Sequence, residues 1–251
     1  MKWFKRALVL FVALLAGPVL NAASGTVKLG QDWRTADRSS AGIAPDPRTT
    51  PEAVVQVYAA RAFSWRGLFA VHTWIATKPR GAASYTVHQV IGWRQWHGLP
   101  VVVSREDAPD RNWFGNTPRV IAELRGPRAA AAIPAILDAV ARYPFPDRYT
   151  VWPGPNSNTF TAWIGHEVPA LELALPVTAI GKDYITDGGV FDHVPSNTGY
   201  QFSILGVLGI LAARREGLEV NLLGLVFGVD PLGPALKLPG IGRVGWSSQP
   251  G

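Results

Sequence analysis

The stretch Phe69-Ala70-Val71-His72-Thr73-Trp74-Ile75 alternates side chains with period two, which predicts a strand carrying Ala70, His72 and Trp74 on one face. Two more β-branched and aromatic runs follow, at 84–93 and 100–105, separated by Pro79-Arg80-Gly81 and by His97-Gly98. Turn residues between such runs predict an antiparallel meander. Upstream, Thr50-Pro51-Glu52 reads as a helix cap with Pro at the first helical position, and a helix is expected to about Phe63. Downstream, Thr117-Pro118 opens a second expected helix that stops at Gly126. Residues 128–143 are Ala-rich and helical, with Pro134 expected to kink or divide them. A short strand at 149–152 then feeds Gly154-Pro155-Asn156-Ser157-Asn158-Thr159-Phe160. There a small hydroxyl sits between two amides, ahead of Phe160, Trp163 and Ile164 at helical spacing. The resulting order is an α+β fold, an antiparallel sheet with packed helices.

The C-terminal part has its own composition. Residues 200–212 and 218–229 are apolar, Gly-containing runs on either side of Arg214-Arg215-Glu216-Gly217. Each is too short for a bilayer helix, and together they read as a long β-hairpin packed on the domain. A re-entrant or interfacial membrane segment is the other reading. The expected organisation is a signal or anchor at 1–24, an extended lead-in at 25–50, an α+β domain at 51–195, and an apolar hairpin with tail at 196–251.

At 251 residues and 47% hydrophobic, the chain can bury a sizeable core. Lys2, Lys5 and Arg6 precede the apolar run 7–20, the pattern of an export signal. Without those three, 21 basic residues stand against 18 acidic ones, and no Lys/Arg cluster of the kind that tracks phosphates is present. Nucleic acid is therefore not an expected partner. Ala22-Ala23-Ser24-Gly25 offers a cleavage site near Ser24, with an uncleaved signal anchor as the rival; in both cases the body is expected outside the cytoplasm, periplasmic or anchored to the inner membrane facing the periplasm. The absence of cysteine excludes thiol chemistry and Cys-based metal sites.

The helix start at Ser157 carries two readings. Free N–H groups and the helix dipole there suit an anion or a nucleophile, whereas Asn and Ser are also among the best capping residues and need no chemistry. His72 and His88 lie on neighbouring strands, where two imidazoles can approach across a hairpin; either can equally be a satisfied core side chain. The five histidines show no zinc spacing, so no metal and no cofactor are expected. Gly240-Ile241-Gly242-Arg243-Val244-Gly245 matches the dinucleotide fingerprint by letter but lacks its strand and helix, and Gly181-Lys182-Asp183 lacks the spacing of a phosphate loop. Trp93-Arg94-Gln95-Trp96 suits sugar stacking, a bilayer interface, or packing.

Val71-His72-Thr73-Trp74-Ile75, the 152–160 segment and Thr178-Ala179-Ile180-Gly181-Lys182-Asp183-Tyr184, read together, resemble a bacterial family known as domain of unknown function 3750. A more distant resemblance is to circularly permuted papain-like proteins of the NlpC and lecithin-retinol acyltransferase type, whose helix begins with an Asn-Cys-like motif. Asn156-Ser157 is similar to that motif with Ser in place of Cys. The resemblance implies His72 as base beside Ser157, oriented by His88 or by Gln89, with Asn156, Asn158, Trp74 and Gln89 lining the cleft. Because a serine hydroxyl depends on its base throughout, the first expectation is a non-catalytic envelope protein that binds a small molecule, peptide, glycan or lipid, with possible membrane association. The alternative is a Ser/His hydrolase or acyltransferase acting on an amide or ester.

Overall fold

A computed structural model describes residues 2–245; Met1 and the last residues of the expected tail, 246–251, lie outside it. The first sheet is five-stranded and antiparallel, built from β1 (Val54–Arg61), β2 (Val71–Lys78), β3 (Thr86–Val90), β4 (Val102–Glu106) and β5 (Arg119–Arg125) in the order β4-β3-β2-β1-β5. The expected meander is β2 to β4. Both helices expected around it are strands instead. In 54–61, Val54, Val55, Val57 and Tyr58 are all fully buried, so a strand covered on both faces reads as a continuous apolar run with no period to detect. In 119–125 the Thr-Pro start signal misleads: the segment is an edge strand paired to β1, and Glu123 accepts a 2.7 Å bond from Gln56 Nε2 across the pair.

Two helices cover one face of this sheet. α2 (Gly126–Ala141) buries Ala129, Ala132, Ile133, Ile136 and Ala139, while Pro134 lies on its exposed side, where water solvates the freed carbonyl and the helix continues undivided. α3 (Ser157–Glu167) packs Phe160 and Ile164 against Val57, Val71 and Ile75. The expected strand at 149–152 is a series of bends. On the opposite face a second cluster gathers Val54, Tyr58, Trp74, Ala76 and Val87 beneath Trp113 and Val120. The lead-in is fastened over this side, because the Asp110 carboxylate accepts bonds from Ser40 Oγ (2.7 Å) and from the Ile43 (2.7 Å) and Ala44 (3.0 Å) amides.

The C-terminal region is a seven-stranded antiparallel sheet: β6 (Phe191–His193), β7 (Gly199–Ile204), β8 (Leu208–Ala213), β9 (Gly217–Leu222), β10 (Leu225–Asp230), β11 (Ala235–Leu238) and β12 (Gly242–Gly245), each paired with its neighbours in chain order. The expected hairpin is present as β8 and β9, turning at 214–216. Each of its long arms folds again, at Leu205-Gly206 and Leu223-Gly224, so the hairpin is the centre of a larger meander.

The N-terminal segment is a helix, α1 (Lys2–Ala23), long and apolar enough to cross a membrane. Its second half packs on the body: Leu14, Gly17, Pro18 and Asn21 form a buried stripe, and Asn21 Nδ2 donates to the carbonyls of Leu68 (2.9 Å) and Gly240 (2.7 Å).

Candidate functional site

The turn before α3 is held by a dense set of side-chain hydrogen bonds. Asn156 is its N-cap: Oδ1 accepts from the amides of Asn158 (2.9 Å) and Thr159 (3.2 Å), and Thr159 Oγ1 accepts from the Asn156 amide (3.2 Å), which completes a capping box. Asn156 Nδ2 donates to the carbonyls of Val151 (3.2 Å) and Ile180 (3.1 Å). Gly181 makes room for this amide. Its φ is +97°, and a Cβ there would lie 2.4 Å from Asn156 Nδ2, so no other residue fits without displacement.

Asn158 ties the helix to the sheet. Its Nδ2 donates to the carbonyls of Val71 (3.0 Å) and Ile180 (2.8 Å), and its Oδ1 accepts from Thr73 Oγ1 (2.9 Å). The amide hydrogens of both asparagines are thereby committed to the protein's own carbonyls, and the amides of Asn158 and Thr159 to the cap. Of the turn's hydrogen-bonding groups, those expected to serve an oxyanion or a ligand hold the turn together.

His72 is on the other side of the sheet. Thr73 meets α3, and strand alternation sends His72 and Trp74 out of the opposite face. No hydrogen bond joins Ser157 to His72 among the described residues, and the expected cleft between them is replaced by the sheet itself. His72 stacks on Trp113 (ring centroids 3.6 Å apart, 7° between planes) and shares a 3.3 Å contact with Gln89 Oε1. Burial pushes its pKa down to about 3 against the opposing effect of Gln89, so the ring is neutral. Trp74 is a core residue, stacked on Tyr58 and donating to the Pro109 carbonyl at 2.7 Å.

His88 does not meet His72 either. The pairing Ile75↔His88 places it on the helix-covered face, between Thr77 Oγ1 (3.0 Å) and Ser104 Oγ (2.8 Å), and burial pushes it down to about 4. Of the residues expected to share a site, the structure joins Asn156, Ser157 and Asn158 in one turn and His72, Trp74 and Gln89 in one face, and separates the two groups by a sheet. No group of His, Asp and Glu with metal-ligand geometry occurs among the described residues.

Two features were not anticipated. The first is a buried charge network under the C-terminal sheet. Lys182 Nζ donates to Asp183 Oδ1 and Glu219 Oε2, both at 2.7 Å; Lys237 Nζ donates to Glu219 Oε1 at 2.6 Å; and Asn221 Nδ2 donates to Asp183 Oδ2 at 2.8 Å. Burial alone would lower Lys182, but the two carboxylates outweigh it and hold the ammonium charged. Burial likewise works to raise Glu219, and the two lysines bring it below the usual carboxylate range.

The second is the opposite face of that sheet. The pairings Phe191↔Phe202, Phe202↔Ile210, Ile210↔Val220, Val220↔Phe227, Val229↔Leu236 and Leu236↔Val244 set one apolar residue beside the next across all seven strands. Phe191 is 71% exposed, Ile210 60% and Leu218 53%, and no outward position on the described strands carries a charge. The face is dished, with an open trough of about 570 Å³ lined by Phe191, Tyr200, Ile210, Val220, Phe227 and Val229. Its alternation is visible in the sequence, where apolar even positions flank Gln201, Ser203, Glu219 and Asn221. The usual rule turns the polar side to water, and here the sheet is the other way round.

An α+β protein of two antiparallel sheets, with an apolar N-terminal helix and an outward apolar sheet face, is the class these features define. The chain belongs to the family described as "Protein of unknown function (DUF3750)", whose model matches residues 52–184. That match spans both helices and the whole first sheet and ends at Tyr184, just past Lys182 and Asp183, whose partners Glu219 and Asn221 lie beyond it. Comparison with curated proteins and with solved structures gives no match.

Proposed function

We propose that the protein is a non-catalytic, membrane-tethered envelope protein that binds lipid acyl chains on the outward face of its C-terminal sheet. The observation that carries this reading is the inversion of that sheet: charged and amide side chains face inward in paired networks, while aliphatic and aromatic side chains face out. Seven strands about 4.8 Å apart and up to about 20 Å long present on the order of 500 Å². That is near the upper end of the apolar patches monomeric proteins expose, and patches of this kind mark interaction sites. The apolar helix α1 supports a membrane setting, and its Lys2, Lys5 and Arg6 suit a cytoplasmic N-terminus.

Catalysis is not part of the reading. Ser157 makes no hydrogen bond to a histidine among the described residues: His88, on its side of the sheet, is held between Thr77 and Ser104, and His72, on the other side, is a neutral, stacked core side chain. The test uses the full chain in phosphatidylethanolamine vesicles containing a diazirine-bearing phospholipid. After irradiation, adducts on peptides spanning 208–222 support acyl-chain contact at the sheet, and adducts confined to α1 overturn it.

A further inference from the structure

We infer that the occupant of the apolar sheet face is the bilayer leaflet next to α1, into which the body of the protein is partly sunk, and that α1 is retained as part of the folded protein. This rests on the lipid-binding reading of the face and names the source of the lipid.

The argument is one of lengths. A helix rises 1.5 Å per residue, and the hydrocarbon layer is about 30 Å thick. From Leu14 onward α1 is held by the body, so only residues 2–13 are free of it, about 18 Å of helix. A docked α1 thus falls short of crossing by at least about 12 Å, most of one leaflet, and by more where Lys2, Lys5 and Arg6 stay at the headgroups. The body at the docking point must supply that depth.

The docking point is built for close approach. A Cβ on Gly17 would lie 1.9 Å from the Pro239 carbonyl oxygen, so helix and turn touch backbone to backbone, and Asn21 Nδ2 bridges Leu68 and Gly240 there. Arg61 Nη1 also donates to the Gly240 carbonyl, at 2.6 Å. The turn belongs to the seven-stranded sheet, since residues 239–241 connect β11 to β12. Leu236 and Val244 on those two strands face outward and are about half exposed. The membrane helix and the apolar face are therefore parts of one rigid junction, and depth at α1 carries the face toward the hydrocarbon. Trp65, exposed in the short 3₁₀ segment Ser64–Leu68 against which α1 packs, adds an interfacial aromatic beside Arg66.

Self-association would bury the same face, and a disulfide between two copies at position 210 tells the two apart. Removal of α1 after Ala23 would also withdraw the only side-chain amide that bridges the Leu68 and Gly240 carbonyls among the described residues.

The chain has no cysteine, so single-cysteine variants Ile210→Cys, Val220→Cys and Leu236→Cys can each carry one fluorescent label in the full-length protein. In phosphatidylethanolamine/phosphatidylglycerol vesicles, doxyl-labelled phospholipid is expected to quench all three labels at least threefold more than iodide does, and intact mass is expected to retain residues 2–23. If doxyl lipid fails to quench while one phospholipid stays bound after detergent exchange, the leaflet inference falls and the lipid-binding reading stands. If iodide quenches all three as it does an exposed label, or a copper-catalysed disulfide forms between two copies at position 210, both fall. A mature chain beginning near Ser24 would overturn the retention of α1.

Discussion

Lys182→Met tests whether the buried network fastens the C-terminal sheet to the rest of the chain. Methionine keeps the apolar stem and removes the ammonium that serves Asp183 and Glu219, each at 2.7 Å. Removing one partner of a buried ion pair costs about 3–5 kcal/mol, because the other charge is left buried without compensation. Two residual contacts soften the loss: Lys237 still donates to Glu219 at 2.6 Å, and Asn221 still donates to Asp183 at 2.8 Å. The expected cost is therefore near the lower end, about 3 kcal/mol, or roughly a 1 M drop in urea midpoint for an m-value near 3 kcal/mol/M. The deficit should narrow as pH falls, since burial works to raise Glu219 and one of the two lysines that hold it down is gone. Urea titrations of the full chain in mild detergent, followed by tryptophan fluorescence, read both effects. Adding Asp183→Asn to Lys182→Met should recover at least about 1 kcal/mol, because the neutral amide no longer needs a cation. A Lys182→Met cost below about 0.5 kcal/mol, or strict additivity of the pair, would refute the reasoning.

Stability should also fall on acidification through the two buried histidines. Both are pushed down by burial, His72 to about 3 and His88 to about 4, while an unfolded His titrates near 6.5. The unfolded chain takes the protons first, so their contribution is whole above about pH 6.5 and is lost as pH drops toward those values, at about 1.4 kcal/mol per unit for each His. His72→Phe should remove one such share of the slope between pH 6 and 4.5, and an unchanged slope would contradict its assignment. Asn156→Ala should lower stability by about 2 kcal/mol, the top of the capping range, since it loses the bonds to Val151 and Ile180 together with the cap; a loss under 0.5 kcal/mol would show that the turn is held elsewhere. Ser157→Ala should leave stability within about 0.5 kcal/mol, and a fluorophosphonate probe should not label the unaltered chain at Ser157; labelling there would reopen hydrolase chemistry.

What could be read in advance follows the physics of each segment. Strands covered on one face announce themselves by alternation, as in 200–204, and the Asn156 turn announces α3 because capping chemistry is local. Residues 54–61 are buried on both faces and carry no period, so Pro51 ahead of them invited a helix. The proposed pairing of His72 with Ser157 failed on a one-residue question: Thr73, not His72, faces α3. Glu219, Lys182 and Lys237 were invisible as a group because long-range ion pairing leaves no local signature. The outward apolar face was present as a pattern, but the pattern alone does not say which side meets the protein.

The central claim concerns acyl chains on that face, and Ile210→Asp with Val220→Asp addresses it most directly. The two positions are cross-strand neighbours that already face outward, so the double variant should fold as the parent does. Each lost aliphatic burial is worth about 1.5–3 kcal/mol, and a carboxylate disfavours hydrocarbon further. With diazirine phospholipid in vesicles, photo-adducts on 208–222 are predicted to fall at least tenfold, while adducts on α1 stay constant. Equal adduct yields at the sheet in the variant and the unaltered chain would contradict the account.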